Sequence, residues 1–211
     1  MCIRDSASTD RFAFVFDSQL VSMLLSCADF ACNEVLAKSL ARTPLDLLER
    51  TELCFIVNVP GTQAVSAHWY FVRAHLRKGY LAAIDSCGGL QTDALTVVQR
   101  FLEHLHEQAL SRAGITLDHR LTEQWRMASL RTRTPQQLDG VNCGVYVLVG
   151  IWCCMSGTRL EERLECRLGT QSPLARSANY WRDRIALCLY RGALSCPVVL
   201  PEHAGRARRV I

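Results

Sequence analysis

The feature that most constrains the fold of this chain is the apolar segment Val141–Met155, which contains no charged residue. A helix formed over Cys143–Met155 would be apolar on every face, so other elements must cover it on all sides. At about 15 residues the segment is shorter than the roughly 20 that a membrane-spanning helix needs. We therefore predict a central buried helix in a globular domain and no membrane partner.

Length and composition fit one globular domain. Hydrophobic residues make up 49% of the 211 residues and charged residues 21%, an ordinary balance for a chain with a sizeable core. The sequence has no internal repeat and no low-complexity linker. We predict a single domain over residues 1–211, with its core at about 12–195 and flexible ends at 1–9 and 200–211.

Cysteine usage and net charge narrow the cellular context. Eleven cysteines cannot all pair within one chain, and their spacings suit neither a zinc site nor a disulfide framework. We expect reduced thiols, mostly small core residues, in an intracellular protein of the nucleus or cytoplasm. The net charge of +4 is mild, and the only dense basic run is Arg206–Arg209, so we expect no nucleic-acid partner.

Hydrophobic patterns predict an α+β fold. Several segments carry apolar residues at helical spacing, and short β-branched or aromatic runs alternate with turn residues. Lys78-Gly79 is a turn between two such runs, which indicates an antiparallel hairpin. The order predicts a mostly antiparallel central sheet flanked by helices. The predicted helices are Ser18–Ala28, Ala31–Arg42, Thr92–Ala113, Cys143–Met155 and Ser177–Gly192, and the predicted strands are Leu53–Val59, His68–His75, Tyr80–Asp85 and Gln124–Thr132.

Cys143 is the candidate nucleophile. It lies in Gly140-Val-Asn-Cys-Gly144, where a turn-rich loop meets the start of the buried helix. Unpaired N–H groups at a helix start favour the thiolate, which is the reactive form of cysteine. Gly140 and Gly144 would let a substrate backbone approach closely. Taken alone, this pentapeptide fits a buried structural cysteine equally well.

His68 and Asp85 are the candidate base and its orienting acid. His68 begins one strand of the predicted hairpin and Asp85 ends the other, so the hairpin would bring the two side chains together. A carboxylate there would fix the tautomer of the imidazole and favour its protonated form. His75 is a weaker candidate base, because the same hairpin places it far from Asp85.

Gln137 is the candidate oxyanion donor. It lies six residues before Cys143, in the loop that leads to the helix. A glutamine amide can donate to a developing oxyanion alongside a backbone N–H. The neighbouring Gln136 is an equal alternative on this argument.

These residues occur in one order: His68-Trp69, a hairpin to Asp-Ser-x-Gly-Gly89, then Pro135-Gln-Gln-x-x-Gly-x-x-Cys-Gly144. In that series the chain resembles the Ulp/SENP-type proteases, which process and remove SUMO and related ubiquitin-like proteins. The resemblance extends over roughly Leu53 to Gly192. It implies a papain-like cysteine protease architecture with the nucleophile at the N-terminus of a buried helix.

The resemblance also implies a role for each matching residue. Cys143 would be the nucleophile, His68 the base, Asp85 its orienting acid and Gln137 the oxyanion donor. The implied reaction is cleavage after the C-terminal Gly-Gly of SUMO or a related ubiquitin-like protein, in maturation or deconjugation. The implied enzyme is monomeric and uses no metal or organic cofactor. The substrate-binding residues would be Trp69, Trp125, Gly140 and Gly144.

Two departures from the family pattern leave alternatives open. Asn142 stands where the family usually has Asp, although Asn could still cap the helix. No tryptophan precedes Trp69, whereas the family usually has one in a segment that helps hold the substrate. One alternative is an effector-type acyltransferase with the same triad. Another is a catalytically weak module that binds a ubiquitin-like protein.

Overall fold

In the residues that it describes, a computed structural model of the chain has four α-helices and five strands. The strands are β1 (Ala13–Phe16), β2 (Glu52–Val59), β3 (His68–His75), β4 (Tyr80–Ile84) and β5 (Arg126–Ser129). The helices are α1 (Ser18–Ser26), α2 (Thr92–Ala113), α3 (Cys143–Ser156) and α4 (Ala178–Tyr190). The structure describes residues 13–26, 52–62, 67–89, 92–113, 125–129, 136–137, 139–158, 163 and 176–190.

The five strands form one mixed sheet in the order β1-β2-β3-β4-β5. The central pairs, β2 with β3 and β3 with β4, are antiparallel. The outer pairs, β1 with β2 and β4 with β5, are parallel. The α+β class and the central antiparallel hairpin are as predicted, and parallel pairing at both edges makes the sheet mixed.

The β3–β4 hairpin turns through a short 3-10 helix, Leu76–Lys78, which ends at Gly79. Gly79 has φ of 55°, a left-handed conformation that favours glycine. The register pairs His75 with Tyr80 and Phe71 with Ile84. This register places His75 at the turn and His68 at the open end of the hairpin.

One face of the sheet packs against α1 and α2 to form the larger core. Alternate β2 side chains Leu53, Phe55 and Val57 point into it, as the two-residue period of a strand requires. Phe55 stacks on Phe16 at 4.6 Å between ring centroids and meets Phe101 edge to face at 5.8 Å. Burial of each such aromatic side chain stabilises the fold by roughly 2–3 kcal/mol.

The other face of the sheet packs against α3. Cys54 of β2 and Phe71 of β3 contact Val147 and Ile151 of this helix. Farther round the helix, Tyr146 and Val149 join a cluster with Trp181 of α4. The prediction of a buried central helix is therefore confirmed, with Leu148 as a side chain that stays 49% exposed.

Most predicted elements agree with the structure within one or two residues, and strand β1 was not predicted. Within the predicted strand Gln124–Thr132 the structure describes Trp125, which precedes β5, and β5 itself, Arg126–Ser129. The predicted helix Ala31–Arg42, the Gly192 end of the last helix and the predicted flexible termini lie outside the described residues. In the part of the chain that the structure describes, no helix is long and apolar enough to cross a membrane.

Candidate active site

The open end of the β3–β4 hairpin brings His68 and Asp85 into contact. His68 begins β3, Asp85 directly follows β4, and His68 Nε2 lies 2.7 Å from Asp85 Oδ1. Asp85 is 3% exposed, so its carboxylate meets the imidazole with little competition from water. Burial and then the negative charge of Asp85 raise the pKa of the neighbouring Tyr70 to about 12. The sequence therefore located this pair correctly, and His75 lies at the opposite end of the hairpin.

The turn after Asp85 adds a residue that the sequence reasoning did not single out. The Cys87 backbone N–H donates to Asp85 Oδ1 over 2.8 Å, and Gly88 N donates to the Asp85 carbonyl over 3.2 Å. This turn directs the exposed Cys87 Sγ to within 3.7 Å of His68 Nδ1. Continuing the hairpin register past Phe71–Ile84 places residue 87 opposite His68, so the signal was present in the predicted hairpin.

Cys143 is the first residue of α3, as predicted. Its side chain is 6% exposed, and the helix packs against β3, the strand that begins with His68. Helix starts concentrate unpaired N–H groups, which stabilise negative charge on a thiolate. Burial raises the pKa of the Cys87 thiol most, followed by the negative charge of Asp85 and then by the Cys143 thiol. Cys87 thus lies beside His68 and within electrostatic range of Cys143.

A groove beside Cys143 has an apolar lining. Its volume is about 440 Å³, and Trp69 and Gly144 line it together with Val141 and Leu148. Trp69 follows His68 in the sequence and Gly144 follows Cys143, whereas His68 and Cys143 themselves are not among the lining residues. A Cβ atom added to Gly144 would meet nothing within 4 Å, which leaves open space at the helix start. The same is true of Gly140, which is exposed.

Gln137 is buried and held on three sides. Its backbone N–H donates to the Ser86 carbonyl over 3.0 Å, and its Oε1 accepts a 2.6 Å hydrogen bond from Ser86 Oγ. Its Nε2 donates to the Asp139 carbonyl. These bonds join the loop before Cys143 to the turn after Asp85. Gln136 points its amide at the Asp85 carbonyl over 3.4 Å. The choice of Gln137 over Gln136 as oxyanion donor stays a prediction.

Asn142 does not cap α3 with its side chain, so that expectation was wrong. Its Nδ2 donates to Asp139 Oδ2 over 2.6 Å, and its Oδ1 accepts a hydrogen bond from Arg182 of α4. With both ends of the amide used, the side chain is unavailable to the helix N–H groups, and the structure shows no cap bond. The hydrogen bond from Asn142, followed by the Val141 N–H, lowers the pKa of Asp139.

Trp125 lies away from the groove. It precedes β5 and packs, partly buried, against the larger core on the α1–α2 side of the sheet. Trp69 and Gly144 line the groove, and Gly140 is not among its lining residues. The structure thus brings Trp69 and Gly144 together, and the substrate-binding role of all four residues stays a prediction.

The assembled groups suit nucleophilic catalysis. A thiol at a helix start, an imidazole and a carboxylate that orients the imidazole are the parts of a thiolate–imidazolium system. Asp85 can accept a hydrogen bond from His68 Nε2–H, which leaves Nδ1 as the nitrogen that can exchange a proton with a thiol. Among the described residues, His68, Asp85 and Cys87 also form a group whose donor atoms, within 4.8 Å of one another, could hold a metal ion.

Comparisons with known proteins identify the family of the chain. The sequence model of the Ulp1 protease family, C-terminal catalytic domain, matches residues 5–172. No curated protein matches the chain.

Several solved structures share the fold. The SUMO protease Ulp1 with its catalytic cysteine oxidised to a sulfonic acid has a TM-score of 0.58 and 19% identity, covering 86% of this chain and 70% of that one. The Chaetomium thermophilum Ulp1-like SUMO protease catalytic domain has a TM-score of 0.57 and 16% identity, covering 89% and 64%. The C-terminal Ulp1 protease domain in complex with Smt3, the yeast ortholog of SUMO, has a TM-score of 0.53 and 19% identity, covering 86% and 69%.

Proposed function

The chain belongs to the Ulp1 protease family and is a cysteine peptidase by that membership, and from this premise we propose that it cleaves after the C-terminal Gly-Gly of SUMO or a closely related ubiquitin-like protein. The observation that carries the proposal is the 2.7 Å contact of His68 with Asp85 beside a groove lined by Trp69 and Gly144. The groove has an apolar lining, as ligand sites usually do, and would receive the C-terminal segment of the substrate.

In the proposed reaction, the Cys143 thiolate attacks the carbonyl carbon of the terminal glycine. His68 holds the proton from the thiol on Nδ1, and Asp85 stabilises the imidazolium through Nε2. The Cys143 N–H and one amide hydrogen of Gln137 would stabilise the oxyanion. His68 then gives its proton to the leaving amine, and water activated by His68 releases the thioester.

The bonds around Gln137 support its role by limiting the motion of its side chain. Ser86 and the Asp139 carbonyl hold the amide from two directions, and Ser86 directly follows Asp85. The oxyanion donor and the orienting acid are therefore parts of one hydrogen-bonded unit. A donor fixed before the reaction begins costs no reorganisation when charge develops.

The partner in the proposal is SUMO because of the solved relatives. Ulp1 is a SUMO protease, and its C-terminal domain has been solved with Smt3 bound. The proposal names SUMO or a closely related protein as the substrate, and it includes both maturation and deconjugation.

The test is a pair of fluorogenic substrates that carry a reporter amide on the C-terminal glycine of SUMO or of ubiquitin. We expect the chain to cleave the SUMO substrate faster, and Cys143→Ala to abolish cleavage. Cys154→Ala is the matched control, because it removes a thiol from the other end of α3. Cleavage that persists in Cys143→Ala would overturn the nucleophile, and faster cleavage of the ubiquitin substrate would overturn the choice of partner.

A further inference from the structure

The exposed thiol of Cys87 contacts the imidazole nitrogen that the proposed reaction uses. Its Sγ lies 3.7 Å from His68 Nδ1, within the range of a hydrogen bond that involves sulfur, while Asp85 is bonded to the other nitrogen, Nε2, over 2.7 Å. In the reaction proposed above, Nδ1 takes up the proton of the Cys143 thiol. That reaction gives Cys87 no role, although Cys87 contacts the nitrogen on which it depends.

The turn after β4 fixes Cys87 in this position. The Cys87 backbone N–H donates to Asp85 Oδ1 over 2.8 Å, and the Gly88 N–H donates to the Asp85 carbonyl over 3.2 Å. Gly88 has φ of 74°, a left-handed conformation that favours glycine. The His68 ring in turn stacks on Tyr70, with 6.0 Å between the ring centroids. One buried carboxylate therefore positions both the imidazole and the residue that carries the thiol.

The bonding of His68 defines the direction of this hydrogen bond. When neutral His68 donates Nε2–H to Asp85, its Nδ1 carries a lone pair and can only accept. Burial, followed by the negative charge of Asp85, raises the pKa of the Cys87 thiol, so Cys87 keeps its proton and its S–H donates to Nδ1. Protonation of Nδ1 ends this bond, because a thiol sulfur is only a weak acceptor. The contact thus stabilises the neutral form of the imidazole.

We propose that Cys87 is a positioning residue that restrains the peptidase, because its thiol occupies His68 Nδ1 in the resting enzyme and must release it before His68 can take the proton of Cys143. Cys87 keeps its own proton throughout, and only its hydrogen bond to Nδ1 breaks. A weak neutral hydrogen bond of this kind corresponds to a restraint of about two- to five-fold. The restraint rests on the proposed peptidase function, whereas the contact between Cys87 and His68 does not.

The contact is measured first, by ¹⁵N NMR of the full chain labelled in its histidine rings, at a pH where the His68 imidazole is neutral. The spectrum of His68→Gln assigns the resonances. We expect Cys87→Ala to move the Nδ1 resonance of His68 toward that of a free lone-pair nitrogen. Cys87→Asn, whose amide donates and reaches farther than a thiol, should leave Nδ1 hydrogen-bonded. An Nδ1 resonance that is the same in wild type and Cys87→Ala would overturn the contact.

The restraint is measured second, as the rate at which iodoacetamide alkylates Cys143, followed by peptide mass spectrometry. This readout needs no substrate. We expect Cys87→Ala to be alkylated at Cys143 about two- to five-fold faster than wild type, because a free Nδ1 takes the Cys143 proton more often. Cys87→Asn should be no faster than wild type. Cys154→Ala, which removes a thiol from the other end of α3, should keep the wild-type rate.

A purely structural role of Cys87 would slow alkylation of Cys143 in both variants. An equal or slower rate in Cys87→Ala than in wild type would therefore overturn the restraint, as would Cys87→Asn reacting as fast as Cys87→Ala. Circular dichroism confirms that each variant is folded.

The effect on cleavage is measured last, as kcat on the SUMO substrate. We expect kcat of Cys87→Ala to exceed that of wild type by about the same factor as the alkylation rate. A wild type that cleaves neither the SUMO nor the ubiquitin substrate, while the NMR and alkylation results are as expected, would refute the proposed function and leave the control of Cys143 by Cys87 standing. Faster alkylation with unchanged kcat in Cys87→Ala would refute the restraint on the peptidase.

Discussion

Helix α3 carries cysteines at both ends, and at each end one of them acts on the pKa of a cysteine from another part of the chain. At the N-terminal end, Cys143 contributes, after burial and Asp85, to the raised pKa of the exposed Cys87. At the C-terminal end, Cys154 packs with Cys54 of β2, which is fully buried. The hydrogen bond with Cys154, followed by burial, raises the pKa of the Cys54 thiol well above its usual range. The same side-chain type thus occupies two opposite environments on one helix.

The charged groups near the two thiol pairs explain the difference. At the C-terminal end, Arg73 is occupied by Glu52, with Nε donating to Oε2 over 3.1 Å and a second bond from Nη2 to Oε1. At the N-terminal end, His68 has one nitrogen bound to Asp85 and the other directed at a thiol. The guanidinium of Arg73 lowers the pKa of Cys154, after the hydrogen bond with Cys54, but it is always charged and cannot take up a proton. An oriented imidazole can exchange a proton with a thiol. The comparison teaches that the neighbours of a thiol decide its chemistry.

The largest expected difference between the two ends is in catalysis. Asp85→Asn leaves the shape of the site but removes the charge that stabilises the His68 imidazolium. We expect kcat on the SUMO substrate to fall by roughly 10²–10⁴-fold. Glu52→Gln, the matched loss of a carboxylate at the other end, should keep kcat within about three-fold per folded molecule. A similar fall in kcat in both variants would contradict the proposed difference between the two ends of α3.

Thiol reactivity should differ next most. Alkylation of Cys54 requires local opening, because its side chain is fully buried and its pKa is raised by Cys154 and burial. We expect iodoacetamide to modify Cys143 at least about 100-fold faster than Cys54, measured by peptide mass spectrometry of the reduced chain. Cys143→Ala identifies the fast site. Comparable rates at the two residues would contradict the assignment of Cys54 as structural.

The free energy of unfolding should depend on the Arg73–Glu52 ion pair near the C-terminal end of α3. Glu52→Gln leaves Arg73 without its charged partner, and the two side chains are 13% and 32% exposed. Because Arg73 keeps contact with water, we expect a loss of about 1–2 kcal/mol, below the roughly 3–5 of a fully buried pair. The loss would appear as a lower midpoint in urea denaturation. As a control, Glu103→Gln at an exposed position of α2 should cost under about 0.5 kcal/mol. An equal loss of stability in both variants would contradict the prediction.

The smallest expected effect is that of Asn142→Asp at the N-terminal end. The wild-type bond from Asn142 favours the charged form of Asp139 and lowers its pKa. That contribution to stability is present above the titration range of an unfolded carboxyl group and is lost as the pH falls through the folded pKa. The variant replaces the donor with a second carboxylate, so the pKa of Asp139 should rise. Carboxyl NMR titration measures it, and an unchanged pKa would contradict the contact.

The hairpin and the buried helix were predictable because their signals are local. Patterns with a two-residue or helical period defined β3, β4 and α3, and the register of one short hairpin placed His68 against Asp85. Strand β1 escaped prediction because its pairing is parallel to β2, with 36 residues between Phe16 and Leu53. Four apolar residues before a helix give no sign of such a distant partner.

The polar details near Cys143 could not be predicted for a different reason. An Asn before a helix is an ordinary cap signal, and only the fold reveals that Asp139 and Arg182 occupy both ends of its amide. The position of Cys87 could have been predicted, since Cys87 lies two residues after Asp85 and falls opposite His68 when the hairpin register is extended. It was overlooked because the strand pattern ends at Asp85 and the next residues indicate only a turn.

The spacing of the candidate triad along the chain has a consequence for folding. His68 and Asp85 are 17 residues apart and meet through a single hairpin, whereas Cys143 belongs to a distant helix that packs on the sheet. Contacts between near neighbours in sequence form faster than those that close long loops. During synthesis the acid–base pair can therefore form while the nucleophile is still in the ribosome. A nascent or truncated chain that ends before α3 would hold an assembled hairpin and no proteolytic activity.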